Sequence, residues 1–215
     1  GTLNGWNVSN VTNMKEMFLS AVLFNQYIGD WDTIKVETMD MMFQQAEDFN
    51  QDCSKWNTSN VTDMSEMFQS ATAFNNGANT NVNVGSTDDT SSRSGLNGWN
   101  TSKVHTITNM FYGATSFNRY IGDWNVTAVD VGSDAEGTGF TSMFEEATSF
   151  NQDIGLWDTR TVKKFTTMFS DAISMNQNLS GWDVTSAVAA SDGTEFTNMF
   201  AQSSGTSLMV SNQGF

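Results

Sequence analysis

The segment Trp56–Phe74 reads WNTSNVTDMSEMFQSATAF and is the clearest copy of a unit that recurs along the chain. Each copy opens with tryptophan, and successive tryptophans are separated by 25, 25, 43, 25, 33 and 25 residues. The two longer gaps equal the 25-residue period plus inserts of 18 and 8 residues. A fixed period of this size predicts an array in which each unit buries its apolar side against its neighbours. The seven tryptophans are Trp6, Trp31, Trp56, Trp99, Trp124, Trp157 and Trp182.

Apolar residues keep constant distances from each tryptophan, so they form columns across the copies. The spacing i, i+3, i+4, i+7 from Met64 to Ala71 predicts a short amphipathic helix in each copy. The β-branched stretch before it, residues 57–62, predicts a short strand. We therefore predict an α/β repeat, a solenoid of about seven coils that each contain a short strand and a short helix. The core of this copy is predicted to be Trp56, Val61, Met64, Met67, Phe68, Ala71 and Phe74.

Polar columns accompany the apolar ones. Asparagine follows the closing Phe or Met of six coils, and stacked asparagine side chains can satisfy backbone groups from coil to coil. We predict this structural role for Asn25, Asn50, Asn75, Asn118, Asn151 and Asn176.

A single array is expected over residues 1–215, with coils that start near the seven tryptophans and loop inserts near 76–94, 130–139 and 187–195. The last two inserts interrupt coils five and seven at the same place, so they should emerge on one face, roughly 10 Å apart at sheet spacing. We predict that this face, with the long loop, binds partners. The candidate binding residues are Asp88, Asp89, Asp130, Asp134, Glu136, Asp192 and Glu195.

Composition limits the function classes. The net charge of −15 argues against nucleic acid and against anionic lipid as partners. No apolar run is long enough for a membrane helix. The chain opens inside a repeat without a signal peptide, which favours a mature fragment or an excised portion of a longer chain. The single cysteine, Cys53, stands in a column of Ile and Leu and is predicted to be a small buried hydrophobe.

The string Trp56–Phe68, followed by Ala71 and Phe74-Asn75, closely resembles the repeat of BspA-like surface proteins, as does Phe150–Asp158. That family is often grouped with leucine-rich repeats and is found in bacterial surface lipoproteins and in some protists and algae. The resemblance implies a right-handed leucine-rich-repeat-like solenoid displayed at a cell surface and used for adhesion or protein contact. It carries over no catalytic residues. The inserts depart from the family pattern.

The chemistry-bearing residues do not indicate an enzyme. The only histidine, His105, stands in a variable column, and one Cys with one His provides no zinc spacing. Calcium is the metal that the inserts suggest, with Asp134 and Asp192 as weak candidate ligands on Gly-rich loops, although acidic turn residues are usually just solvated. N-glycosylation patterns occur at Asn7, Asn57, Asn100 and Asn125, but the repeat itself produces them.

Three hypotheses of function remain open. The first is a non-enzymatic extracellular or cell-surface protein that mediates adhesion or contact with protein or glycan. The second is a structural subunit that stacks end to end with copies of itself into an extracellular filament or sheath. The third is a calcium-dependent glycan-binding module. None of the three requires a cofactor other than calcium in the last.

Overall fold

The computed structural model describes residues 2–77, 95–131, 138–189 and 193–203. The regular elements in these ranges are two 3-10 helices, Leu3–Gly5 and Leu96–Gly98, and one α-helix, Thr185–Ala189. Isolated parallel β-bridges join Asn13 to Thr38, Thr38 to Asp63 and Asp63 to Thr106. No helix among the described residues is both long enough and apolar enough to cross a lipid bilayer.

The predicted α/β fold class, a right-handed leucine-rich-repeat-like solenoid with a strand and a helix in every coil, is wrong. In the described part of the chain the coils are built of tight turns, and no coil contributes a ladder-forming strand. The segment from Met64 to Ala71, predicted to be a helix, is a run of turns. The backbone N–H groups of this segment alternate between two kinds of hydrogen-bond acceptor. This alternation explains why the segment forms turns and not a helix.

One set of N–H groups in this segment donates to the carbonyl three residues back, as Met67 does to Met64 at 3.3 Å. The intervening N–H groups donate to the next coil, as Met64 does to Thr106 at 3.0 Å and Phe68 does to Met110 at 2.9 Å. An α-helix would instead use every N–H for the carbonyl four residues back. Left-handed backbone at Glu66 and Ser70, each with φ of 55°, turns alternate N–H groups out toward the neighbouring coil.

Aromatic columns form the core between the coils. Phe68 stacks on Phe43 at 5.5 Å and on Phe111 at 5.7 Å between ring centroids, and Trp99 stacks on Trp124 at 6.2 Å. The seven predicted core residues of the third coil are all buried, with Trp56 at 3% exposure and the others at 0%. Cys53 is also completely buried.

Each buried tryptophan indole N–H donates to a backbone carbonyl of the preceding coil, so the largest side chains are also hydrogen-bonded across the stack. The distances lie between 2.8 and 3.2 Å. The donors are Trp31, Trp56, Trp99, Trp124, Trp157 and Trp182.

The asparagine column has the predicted role. The Asn50 side-chain oxygen accepts the Asn75 N–H at 2.9 Å, and the Asn75 oxygen accepts the Asn118 N–H at 3.0 Å. The same bond joins Asn25 to Asn50, Asn118 to Asn151 and Asn151 to Asn176. The prediction that stacked asparagines satisfy backbone groups from coil to coil is therefore confirmed.

Candidate functional site

A polar groove crosses four consecutive coils in the columns four and six residues after tryptophan. Asp130, where the insert of the fifth coil begins, belongs to the second of these columns. The groove is open to solvent and has a volume of about 470 Å³. We call it the lysine groove, and its lining residues are Thr12, Lys35, Glu37, Asn60, Thr62 and Lys103.

Backbone hydrogen bonds between coils fix the floor of the lysine groove. The N–H of Glu37 donates to the Thr12 carbonyl, and the N–H of Thr62 donates to the Glu37 carbonyl, both at 2.8 Å. The Thr62 hydroxyl also donates to the Glu37 carbonyl at 3.1 Å. The side chains of this column are therefore held at the spacing of the coils.

Asparagines hold the two lysine ammonium groups in place. Lys35 Nζ donates to Asn10 Oδ1 at 2.6 Å, and Lys103 Nζ donates to Asn60 Oδ1 at 2.8 Å. The Asn60 amide is itself oriented, since its Nδ2 donates to the Ile34 carbonyl at 2.8 Å. An ammonium group carries three N–H donors, so each lysine keeps donors for a ligand.

Two lysines elsewhere on the described surface, Lys15 and Lys55, are paired with aspartate. Lys15 lies 2.8 Å from Asp40, and Lys55 lies 2.6 Å from Asp30. The hydrogen bond that Lys15 donates to Asp40 raises the pKa of Lys15, and the bond that Lys55 donates to Asp30 raises the pKa of Lys55. No ion pair to Lys35 or Lys103 is formed by any residue that the structure describes.

Asp130, one of the predicted binding residues, has a structural role. It is 5% exposed, and its two carboxylate oxygens accept the N–H groups of Gly139 at 2.9 Å and Lys163 at 2.8 Å. In the preceding coils the equivalent N–H bonds to a backbone carbonyl, as that of His105 does to Thr62. The Asp130 side chain thus replaces the backbone acceptor where the insert diverts the chain.

The other acidic candidates divide into two groups. Glu195 is 5% exposed, and its Oε1 has no hydrogen-bond partner among the described residues. Within the described ranges, no three acidic, His or Cys side chains lie together as a metal site would need. The remaining candidates, including both calcium ligands, lie outside the described residues: Asp88, Asp89, Asp134, Glu136 and Asp192.

The four asparagines of the glycosylation patterns are exposed and share a local turn. Each side-chain oxygen accepts the N–H of the residue two positions on, at 3.0 to 3.2 Å, which is an Asx-turn. Asp158 and Asp183 form the same turn in their coils. The column therefore requires a short side-chain acceptor, which Asn and Asp both supply. The four asparagines are Asn7, Asn57, Asn100 and Asn125.

His105 and Cys53 are held by their surroundings. His105 is half-buried, and its Nδ1 lies 3.0 Å from the Ala128 carbonyl oxygen. Burial raises the pKa of the Cys53 thiol well above its usual value, so the thiol stays protonated and unreactive.

Sequence reasoning overlooked Lys35 and Lys103. Tabulating the polar columns would have shown a signal, since Asn10, Lys35, Asn60 and Lys103 alternate amide and ammonium four residues after tryptophan. The sequence alone does not show that the amide oxygen of each asparagine accepts a hydrogen bond from the lysine ammonium group of the next coil.

One family model matches the chain twice, over residues 1–93 and over residues 85–209, as expected for a repeated unit. No curated protein and no solved structure matches the chain. The two family matches together span nearly its whole length. The chain therefore belongs to the family described as "Mycoplasma protein of unknown function, DUF285".

Proposed function

We propose that the chain is a non-enzymatic repeat protein, located outside the cell or at its surface, that mediates adhesion through contact with protein or glycan. The observation that carries the proposal is the lysine groove. Four coils contribute to one surface there, and two lysines are fixed in position without being neutralised. Binding residues held by a rigid scaffold are the usual design of a recognition surface.

Two further points support the proposal. Membership of a repeat family fits a chain whose regular side-chain columns build an extended surface. The resemblance of Trp56–Phe68 to repeats of BspA-like surface proteins favours a location at the cell surface. Neither point depends on a leucine-rich-repeat geometry.

The test uses beads coated with the purified chain, whose adherence to cell layers, immobilised matrix proteins and glycans is counted. Thr12 is exposed on the groove, so Thr12→Cys can be labelled with a maleimide polyethylene glycol that covers the groove. Cys53 is buried and should not react. Labelled Asp48→Cys, exposed away from the groove lining, is the matched control.

We expect wild-type beads to adhere, the labelled Thr12→Cys beads to lose adherence, and the labelled Asp48→Cys beads to retain it. Absence of adherence by wild-type beads on every surface would overturn the proposal. Equal adherence of both labelled variants would show that adhesion does not take place through the lysine groove.

A further inference from the structure

The positive charges of Lys35 and Lys103 are not paired with a carboxylate of any described residue. Both ammonium groups bond to neutral asparagine oxygens, whereas Lys15 and Lys55 are paired with carboxylates. The chain has 24 acidic residues and 9 Lys plus Arg, so carboxylates are abundant elsewhere on its surface. A pair of unneutralised lysines in one groove is therefore a local attraction for anions.

The two lysines occupy the same column, two coils apart. Phenylalanine rings of these coils stack at 5.5 and 5.7 Å, so two coils span about 11 Å along the stack. This separation exceeds the length of one sugar ring or one small anion. A ligand that neutralises both lysines therefore carries at least two anionic groups on an extended backbone.

Glu37 lines the groove in the same coil as Lys35, two residues further along the chain, and limits what that backbone can be. Its side chain is exposed and makes no hydrogen bond or ion pair with any described residue. A carboxylate at this point repels a continuous run of negative charges but accepts hydrogen bonds from hydroxyl groups. The neutral hydroxyl oxygens of Thr12 and Thr62 line the same groove and can also accept hydrogen bonds.

We propose that the lysine groove binds an anionic glycan, with carboxylate or sulfate groups on Lys35 and Lys103 and sugar hydroxyls on Glu37. This inference rests on the proposed function and specifies its ligand. Acidic proteins fit less well, because they offer carboxylates without the dense hydroxyl groups that Glu37 accepts. The asparagines pre-position the ammonium groups, which lowers the entropy lost by the lysine side chains on binding.

The experiment measures binding of the full chain to polygalacturonate, heparin, neutral dextran and polyglutamate by calorimetry. The groove variant is Lys35→Gln with Lys103→Gln. The charge-matched control is Lys15→Gln with Lys55→Gln, which removes two lysines that are paired elsewhere. Melting curves of both variants verify folding.

We expect binding to polygalacturonate or heparin that weakens with salt, falls about tenfold in the groove variant and changes less than about twofold in the control. Binding to polygalacturonate but not to heparin would identify carboxylate as the anionic group. Binding to heparin but not to polygalacturonate would identify sulfate. Glu37→Arg should weaken glycan binding if Glu37 accepts hydroxyl groups, although it adds positive charge.

Four results would overturn the inference: no binding to either anionic glycan, equal loss in the groove variant and the control, polyglutamate binding as strong as glycan binding, or dextran binding as strong as glycan binding. The bead experiment separates these failures from failure of the proposed function, since beads that still adhere through the groove would bind a different ligand.

Discussion

Asn118 shows at the scale of one residue how the coils are joined. Its Oδ1 accepts the Asn151 N–H at 3.0 Å and the Gln152 Nε2–H at 2.8 Å from the next coil. Asn118→Ala should cost about 1–3 kcal/mol of unfolding free energy, because two donors lose their acceptor. Asn118→Asp keeps the oxygen and should cost clearly less. Urea unfolding measures both, and equal losses would refute the acceptor role.

The Asx-turn at Asp183 makes the stability of the fold depend on pH. The Thr185 side chain, which donates to Asp183 at 2.7 Å, and the Thr185 backbone N–H lower the pKa of this carboxyl. A folded pKa below the unfolded one contributes stability above the unfolded pKa, and this stability is lost as pH falls through the folded pKa. Asp183→Asn keeps the turn, as Asn125 does with Thr127.

We therefore expect Asp183→Asn to be slightly less stable than wild type near neutral pH and equal to it in acid. Urea unfolding at a series of pH values measures the difference. A difference in unfolding free energy that stays constant across the pH series would show that the Asp183 charge contributes nothing to stability.

The role of a residue column could be predicted from the sequence where the residues that it contacts belong to the same repeated pattern. The burial of Phe68 and the bond between Asn75 and Asn118 follow from constant spacing, because a stack places identical positions on each other. The roles of Asp130 and Lys103 could not be predicted in this way. Both depend on which side chain or backbone group of a neighbouring coil lies within reach.

At the scale of the element, the spacing from Met64 to Ala71 does not distinguish a helix from a run of turns. Both place i, i+3, i+4 and i+7 toward the core, and the local sequence contains no glycine to indicate left-handed backbone at Glu66 or Ser70. What decides between them is the neighbouring coil, whose carbonyls accept alternate N–H groups. A helix this short would gain less from its own hydrogen bonds.

Gly113 tests the left-handed positions of these turns. Its φ is 66°, in the column that Ser70 and Glu146 also occupy with positive φ. Gly113→Val should cost about 1–3 kcal/mol, because a β-branched residue is strained there. Gly98→Val is the control, since a Cβ at Gly98 would meet no heavy atom within 4 Å outside its own turn. Chemical unfolding compares them, and similar losses would contradict the turn geometry.

At the scale of the whole molecule, the stack is held together mainly by contacts between neighbouring coils. Phe68, for example, contacts Phe43 in the coil before it and Phe111 in the coil after it. In such an array, stability is a sum of coil and interface contributions. A lesion in a central coil should therefore weaken its own coil and also separate the coils on either side.

Met67→Asp provides that lesion. Met67 is 0% exposed in the third coil, and an unpaired charge there should cost about 3–5 kcal/mol. Because coils two and four would lose their common neighbour, we expect thermal unfolding to broaden or divide into two transitions. Asn57→Asp adds the same charge to the same coil at an exposed position where Asp32 and Asp158 stand in other coils, and it should unfold like wild type. A Met67→Asp melt with one sharp transition at the wild-type midpoint would show that the third coil does not connect the stack.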